Sequence, residues 1–234
     1  MARELANLKS IPEESLHRLA AYHCILTNWL LAGKTGSATS KELAETLGLK
    51  ETTIRHDLLY LGEAPGTRGV GYNITVLRRM IGEFLNLPAF APVAIVGSAT
   101  VINALFSFFP VEKSGFIPAA FFSEVPGDWG AVINGREVRP VDEISSTLGA
   151  MGVKVAIVAA HPSWVQHSVN LLAQAGIKAL LILSQSVMPD IPEGVHAIQV
   201  TITCDLKTLF FYASMLDHEL SEDLSAGAHI GQSS

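Results

Sequence analysis

Cysteine and long hydrophobic runs are scarce in this chain of 234 residues. The two cysteines, Cys24 and Cys204, lie far apart in apolar segments, which excludes a disulfide scaffold and a zinc knuckle and predicts two small core residues. No apolar run approaches the ~18 residues that a membrane-spanning helix needs. The N-terminal segment also lacks the apolar block of a signal peptide. We therefore expect a cytoplasmic protein without a membrane partner.

Charge is low and unevenly distributed along the chain. Charged residues make up 16% of the sequence and hydrophobic residues 49%, so a sizeable core is expected and gross disorder is excluded. The net charge of −6 alone argues against binding to nucleic acid. However, residues 1–85 carry a net charge of +1 and residues 86–234 one of −7. The N-terminal third can therefore present a local basic face, although these totals do not establish one.

Catalytic motifs are also missing. The sequence shows no Ser-His-Asp arrangement and no H-E-x-x-H motif, and six histidines are scattered without metal-ligand spacing: His17, His23, His167, His196, His218 and His229. His161, at the end of a predicted strand, is the one candidate acid or base, and a loop histidine is the favoured interpretation. We therefore predict that the chain is not an enzyme. An NAD- or CoA-binding enzyme or ligand-binding module remains the alternative.

The first segment predicts a helix-turn-helix. A long amphipathic helix is expected between Pro12 and Gly33. In the stretch "ATSKELAETLGL", Thr39 and Glu42 match a capping box and Gly48 matches a helix stop. A third helix then runs from about Glu51 to Leu61, with Ile54, Leu58 and Leu61 on its inner face. Its outer face consists of Thr52, Thr53, Arg55, His56 and Leu59.

Four glycines follow this helix in "GEAPGTRGVGYN". A nucleotide-binding loop should follow a strand and open a helix, so glycines placed after a helix indicate a different role. We predict a two-stranded ribbon with glycine bends, a wing, with Arg68 at its tip able to contact a phosphate or a minor groove. A helical domain with a plain surface hairpin is the alternative.

The rest of the chain alternates between apolar strands and helices. Predicted strands cover 92–97, 115–122, 153–160, 177–184 and 194–200, which indicates an α/β fold with a parallel sheet covered on both faces. The last helical stretch, 204–220, has an apolar stripe of Leu206, Leu209, Phe210, Ala213 and Leu216. That stripe predicts either a dimer contact or packing within the protomer. We expect domains at 1–87, 88–202 and 203–222, followed by a flexible tail at 223–234.

Six segments carry a resemblance to a known family: "TIRHDLLYLG", "GTRGVGYN" and "LRRMIGEFL" in the first part, and "GAVINGREVRPVDEI", "LLAQAGIKALLILS" and "IPEGVHAIQVTITCDLKTL" in the second. They resemble the Rex family of redox-sensing transcriptional repressors. The resemblance implies a winged helix, a Rossmann-like domain that binds NAD(H), a domain-swapped C-terminal helix, and a homodimer that binds palindromic double-stranded DNA operators and leaves them when NADH accumulates. For the DNA contact it implies Arg55 and His56 on the recognition helix and Arg68, Gly69 and Tyr72 in the wing, with the outward Thr52 and Thr53 beside them. His56 and Thr67 replace an Arg and a Lys that are more usual in the family.

The dinucleotide-binding residues implied by the resemblance depart from the family pattern. In "VGSATVINAL" the G-x-G-x-x-G positions hold Gly97, Ala99 and Ile102, although the helix start at Ser98–Thr100 could still attract an anion. Ser123, with Glu124 beside it, occupies the place of an Asp that binds ribose. Thr201 stands where the family tends to carry an Asp near the nicotinamide, and His161 replaces a Pro. Two interpretations remain: NADH sensing retained through backbone contacts at Gly97, or sensing that is altered or lost.

Overall fold

The computed structural model describes residues 11–62, 66–67, 69–88, 90–108, 115–184 and 187–215. The predictions for Arg68, Leu216, the end of the last helix and the tail at 223–234 lie outside these ranges. The chain divides into two compact units, Met1–Ala89 and Phe90–Ser234.

The first unit is mostly helical, with a small antiparallel sheet in the order β1-β3-β2. Its elements are α1 (Glu13–Leu31), β1 (Ser37–Ala38), α2 (Ser40–Leu47), α3 (Glu51–Leu58), β2 (Gly66–Thr67), β3 (Gly71–Asn73) and α4 (Ile74–Phe84). Buried side chains from all four helices, among them Leu19, Leu43, Ile54 and Leu77, form one core. Three helices followed by a β-ribbon make the predicted winged helix-turn-helix.

The turn between α2 and α3 follows from its capping residues. The Thr39 side chain accepts a hydrogen bond from the backbone N–H of Glu42 at 3.1 Å, which caps α2. Gly48 ends α2 in the left-handed conformation, with φ of 65°. The capping box is only half formed, because the carboxylate of Glu42 pairs with Lys34 and does not return to Thr39. The turn packs α3 against α2 in the same core, as in a helix-turn-helix.

The second unit is a seven-stranded sheet in the order β10-β9-β8-β4-β5-β7-β6, parallel except for the β6–β7 pair. Its elements are β4 (Ala91–Gly97), α5 (Ala99–Phe108), β5 (Phe116–Ser123), β6 (Val132–Ile133), β7 (Arg136–Pro140), α6 (Ile144–Leu148), β8 (Val155–Ala159), α7 (Pro162–Gln174), β9 (Ala179–Ile182) and β10 (His196–Gln199). The first strand, β4, lies in the middle, with later strands added on either side. This is the strand order of a Rossmann sheet.

Both faces of the sheet are covered, as predicted. Val93 and Ile95 of β4 pack on one face with Ile102 of α5. The alternating residues Ala94 and Val96 pack on the other face with α6 and α7. The branched side chain of Ile102 is fully buried in that first cluster, so the helix and sheet pack with an isoleucine at the third glycine position.

The last described helix, α8, covers residues 202–215. Its large apolar side chains are exposed in the protomer: Ile202, Leu206, Leu209, Phe210, Phe211, Tyr212 and Met215. Both cysteines are exposed as well, so the prediction that they are buried core residues was wrong. Each occupies a solvent-facing position of its helix, which apolar sequence neighbours alone do not reveal. None of the described helices is long and apolar enough to span a membrane.

Candidate DNA-binding surface and dinucleotide crevice

The outer face of α3 carries the predicted recognition residues. Thr52, Arg55 and His56 are exposed, and Thr53 is half-buried, while Ile54 faces the core. The rings of His56 and Tyr60 are nearly perpendicular, with 5.8 Å between their centroids, so the orientation of His56 is partly fixed by the following turn. The helix therefore presents a short polar surface without burying these side chains.

The Arg55 side chain already has polar partners within the protomer. Its guanidinium pairs with Glu51 one turn earlier on α3, and its Nε donates to the Ser40 hydroxyl at 3.1 Å. The Ser40 hydroxyl in turn donates to Glu51 at 3.3 Å. Because the Arg55 side chain is 61% exposed, it can exchange these partners for an external anion at modest cost.

The wing is built from β2 and β3. The backbone N–H of Val70 donates to the Thr67 carbonyl at 2.9 Å and closes the turn, where Gly69 has φ of 84°. Gly69 and Val70 are exposed at this turn. The ring of Tyr72 is half-buried against Gly66, where an added Cβ would lie 2.7 Å from the ring. Tyr72 thus helps to hold the ribbon together.

Sequence patterns did not reveal the buried ion pair beneath α3. Asp57 is fully buried and accepts hydrogen bonds from Arg18 Nε at 2.6 Å, Arg18 Nη2 at 2.8 Å and the Tyr22 hydroxyl at 2.6 Å. Burial opposes ionisation of Asp57, but the hydrogen bonds from Arg18, Tyr22 and Ser15 outweigh it and lower the pKa of Asp57. Burial, together with the hydrogen bond to Asp57, raises the pKa of Tyr22. The network fixes α3 to α1.

A second missed residue is Lys50, which is exposed immediately before α3. A cation at this position stands beside the first turn of the exposed helix, where it can reach a nucleic-acid phosphate. The sequence could have indicated this residue, because Lys50 lies between Gly48, which ends α2, and the first residue of α3.

The second candidate site lies at the carboxyl end of β4. β4 pairs with β5 on one side and β8 on the other. The strands that follow β4 in sequence are added first on the β5 side and then, from β8 onward, on the opposite side, so the strand order reverses between β4 and β8. Gly97 and Ala159 are direct neighbours there, and a Cβ on Gly97 would lie 2.9 Å from the Ala159 carbonyl oxygen. Open α/β sheets bind ligands at this switch point. Ser98 and Ala99 are half-buried and Thr100 is exposed at the start of α5.

One carboxylate already contacts the start of α5. The backbone N–H of Ala99 donates to Asp128 Oδ2 at 2.8 Å, and the buried Ser123 hydroxyl donates to the same oxygen at 2.7 Å. The Ser123 hydroxyl also accepts from the Val125 N–H at 3.1 Å, and the Trp129 indole donates to the Ser123 carbonyl at 3.0 Å. Ser123 therefore supports the loop after β5, a role that its predicted cofactor contact did not include.

A second carboxylate reaches the loop after β8. Glu124 Oε1 accepts from the backbone N–H of His161 at 2.8 Å. Its other oxygen, Oε2, is buried and finds no partner among the residues that the structure describes. The His161 ring lies 2.8 Å from the Ser163 hydroxyl and caps α7. The structure thus brings together Gly97, Ala99, Glu124 and the backbone of His161.

Thr201 lies on the same edge of the sheet but farther away. It follows β10, which is separated from β8 by β9. With strands roughly 5 Å apart, Thr201 is about 10 Å to the side of β8. Within the described ranges, no group of His, Cys, Asp and Glu side chains could hold a metal ion.

A helix-turn-helix with a wing and a Rossmann sheet with an open switch point are together the architecture of a DNA-binding regulator with a ligand site. A family model described as "Putative DNA-binding protein N-terminus" matches residues 10–58. The redox-sensing transcriptional repressor Rex of Desulfitobacterium hafniense is 32% identical over 86% of this chain and 94% of its own. Rex of Streptomyces coelicolor is 31% identical over 90% of this chain and 80% of its own.

Solved structures agree with these relatives. The crystal structure of RSP, a Rex-family repressor, is 25% identical, covers 92% of this chain and 98% of RSP, and gives a TM-score of 0.76. RSP in complex with β-NAD⁺ and operator DNA is 25% identical, covers 96% and 99% of the two chains, and gives a TM-score of 0.76. The chain belongs to the Rex family of redox-sensing transcriptional repressors. Like these relatives, it is a transcriptional regulator and not an enzyme.

The backbone of the crevice fits a dinucleotide, and its side chains fit in part. Gly97, where an added Cβ would meet the Ala159 carbonyl oxygen, keeps the first glycine of the dinucleotide turn between β4 and α5. The orphaned Glu124 Oε2 is an acceptor suited to a ribose hydroxyl. The amide of Ala99, in contrast, is already bonded to Asp128.

Proposed function

We propose that this chain represses transcription as a homodimer that binds a palindromic operator and responds to NAD(H). One observation carries the proposal: the fold of RSP bound to β-NAD⁺ and operator DNA extends over 96% of this chain. The exposed polar face of α3 and the ribbon beside it supply the DNA contact. The crevice at β4 supplies the dinucleotide site. A protein that binds chromosomal operators works in the cytoplasm of a bacterium.

The DNA contact uses α3 for the major groove and the wing for the flanking backbone. Thr52, Thr53, Arg55 and His56 face outward on α3 and can meet base edges and phosphates. In the wing, Gly69 lets the backbone approach a phosphate, Tyr72 holds the ribbon, and Arg68 supplies its charge. On binding, Arg55 exchanges Glu51 and Ser40 for DNA, which adds a charge-assisted contact.

The dimer is proposed to form through α8. Its exposed Leu206, Leu209 and Phe210 form an apolar surface that is expensive to leave in water. Insertion of this helix against a second copy, as a swapped element, covers that surface and pairs the two winged helices. Two copies of α3 held in this way read half-sites that are related by a two-fold axis.

The dinucleotide is proposed to bind across the crevice. Gly97, Ser98, Ala99 and Thr100 are placed to meet its diphosphate, and Glu124, with Ser123 beneath it, to meet a ribose. His161 and Thr201 follow strands farther along the sheet, toward the nicotinamide end. When bound, the dinucleotide acts as a signal and undergoes no reaction. The two signals, NADH and NAD⁺, differ in oxidation state. It acts by favouring one dimer geometry over another.

One titration tests this function. A palindromic operator, selected in vitro from random DNA, is bound to the purified chain, and NADH or NAD⁺ is added while fluorescence anisotropy reports release. We expect NADH to release the DNA at lower concentration than NAD⁺. A chain that binds no selected duplex, or a complex that ignores both nucleotides at millimolar concentration, contradicts the proposal.

A further inference from the structure

The contact between Asp128 and the start of α5 places an anion of the chain itself where a diphosphate would bind. Ala99 is the first residue of α5 and occupies the second glycine position of the dinucleotide motif. Its N–H is the group that approaches a pyrophosphate in Rossmann sheets. In this structure that N–H donates to Asp128 Oδ2 at 2.8 Å. The two acceptors compete for the same donor.

Asp128 is held in this position by the loop around it. It ends a short 3-10 turn, Pro126–Asp128, and the Ser123 hydroxyl donates to the oxygen that also contacts Ala99. Ser123 is fully buried and is fixed in turn by Val125 and Trp129. Displacing the carboxylate therefore breaks a built hydrogen-bond network and does not merely rotate a solvated side chain.

The local charge adds to this competition. Glu124 reaches from β5 to the amide of His161, so two carboxylates stand at the carboxyl ends of β5, β4 and β8. The sequence segments 97–101, 123–129, 159–163 and 200–201 contain no lysine or arginine. A diphosphate carries two negative charges into this crevice, and repulsion between like charges weakens its binding.

We propose that Asp128 is a specificity-determining residue that competes with the dinucleotide diphosphate for the start of α5. NAD(H) binds only when Asp128 leaves Ala99. The chain therefore needs a higher NADH concentration for binding than the same site would need without the Asp128 carboxylate. This inference rests on the proposed function and deepens it.

The test compares two substitutions with one control. Asp128→Asn removes the charge but keeps the shape, and Asp128→Ala also vacates the amide of Ala99. Glu193→Gln removes an exposed charge before β10, at the opposite edge of the sheet from the crevice. Calorimetry measures the Kd of each full-length variant for NADH, NAD⁺ and inorganic pyrophosphate, and anisotropy measures operator binding without nucleotide.

We expect both Asp128 variants to bind NADH and pyrophosphate more tightly than wild type, by roughly tenfold to a hundredfold for Asp128→Ala, because one charge-assisted hydrogen bond no longer has to be displaced. Glu193→Gln should match wild type. The amide resonance of Ala99 should move on addition of pyrophosphate in Asp128→Ala at concentrations that leave the wild type unchanged. These outcomes would establish the competition.

Equal or weaker binding by the Asp128 variants that still bind operator overturns the inference and shows that Asp128 only caps the helix. Should Asp128→Ala unfold, Asp128→Asn, which can still accept from Ala99, decides the question by the same comparison. The proposed function fails separately, when the wild type does not bind an operator at all. The absence of nucleotide binding in every folded variant also overturns the inference.

Discussion

Replacing Asp57 with asparagine should destabilise the first unit strongly although the side chain keeps its shape. The carboxylate is fully buried and accepts two hydrogen bonds from Arg18 and one from Tyr22. Breaking a buried ion pair costs about 3–5 kcal/mol, and the 25% exposure of the Arg18 side chain favours the lower end, about 3 kcal/mol. Tyr22→Phe removes one hydrogen bond to a charged acceptor and should cost about 1.5–2 kcal/mol.

Tryptophan fluorescence can isolate this effect. The chain has three tryptophans, and only Trp29 lies in the first unit. In a background with Trp129→Phe and Trp164→Phe, urea unfolding followed at Trp29 gives the free energy of unfolding of that unit. Glu45→Gln, which removes an exposed pair with Lys41, is the matched control and should cost less than about 0.5 kcal/mol. A loss below about 1 kcal/mol for Asp57→Asn would refute the argument that this network anchors α3.

Three further predictions follow from the first unit. Burial and the nearby Arg78 lower the pKa of His23, and Arg18 and Tyr22 help lower that of Asp57, so both groups bind protons more readily unfolded. The free energy of unfolding measured at Trp29 should therefore be at its full value above pH about 6.5 and fall below it, first because His23 binds a proton on unfolding and then, below pH about 4, because Asp57 does. His23→Gln should remove the first decline. A pH profile that this variant leaves unchanged contradicts the assignment. Glu51→Gln should release Arg55 and strengthen operator binding severalfold in anisotropy, whereas Arg55→Ala should weaken it at least tenfold; weaker binding by Glu51→Gln would show that the pair positions Arg55. Gly71→Ala should cost about 2 kcal/mol in urea unfolding, because Gly71 has φ of 94° and an added Cβ would contact the Ala38 carbonyl; a neutral effect would show that the wing relaxes freely.

Local signals in the sequence predicted much of this architecture. Thr39 and Gly48 begin and end α2 through contacts with residues a few positions away, so spacing was enough to place the turn. The alternation of strands and helices likewise predicted the parallel sheet, because the central strand β4 is buried on both faces and reads as a continuous apolar run. The family resemblance supplied the function.

Contacts between distant segments could not be predicted in the same way. Asp57 meets Arg18 across 39 positions, and Asp128 meets Ala99 across 29. In the sequence Asp57 looks like another polar helix residue, and Asp128 like a loop residue. Only folding shows that the first is buried and that the second occupies a helix N-terminus. The exposure of Cys24 has the same origin, because an apolar segment does not reveal which side faces water.

The site residues also divide into those that local spacing predicts and those that depend on contacts formed only on folding. Exposure on α3 follows from helical periodicity, so Thr52, Arg55 and His56 could be chosen from the sequence. The partner of Arg55 could also have been found, since Glu51 precedes it by one turn. The supporting role of Ser123 could not, because its partners follow it in an irregular loop.

The central claim is that paired chains bind a two-fold-symmetric duplex through α3 and the wing. The most direct measurement is the stoichiometry and affinity of the purified chain on a selected palindrome and on its isolated half-site, by sedimentation and anisotropy at one salt concentration. We expect two chains per palindrome, binding at least a hundredfold weaker on the half-site, and loss of palindrome binding when Arg55 and Arg68 are both replaced by alanine. A single chain bound to either duplex, or an affinity unchanged by the double substitution, would contradict this claim.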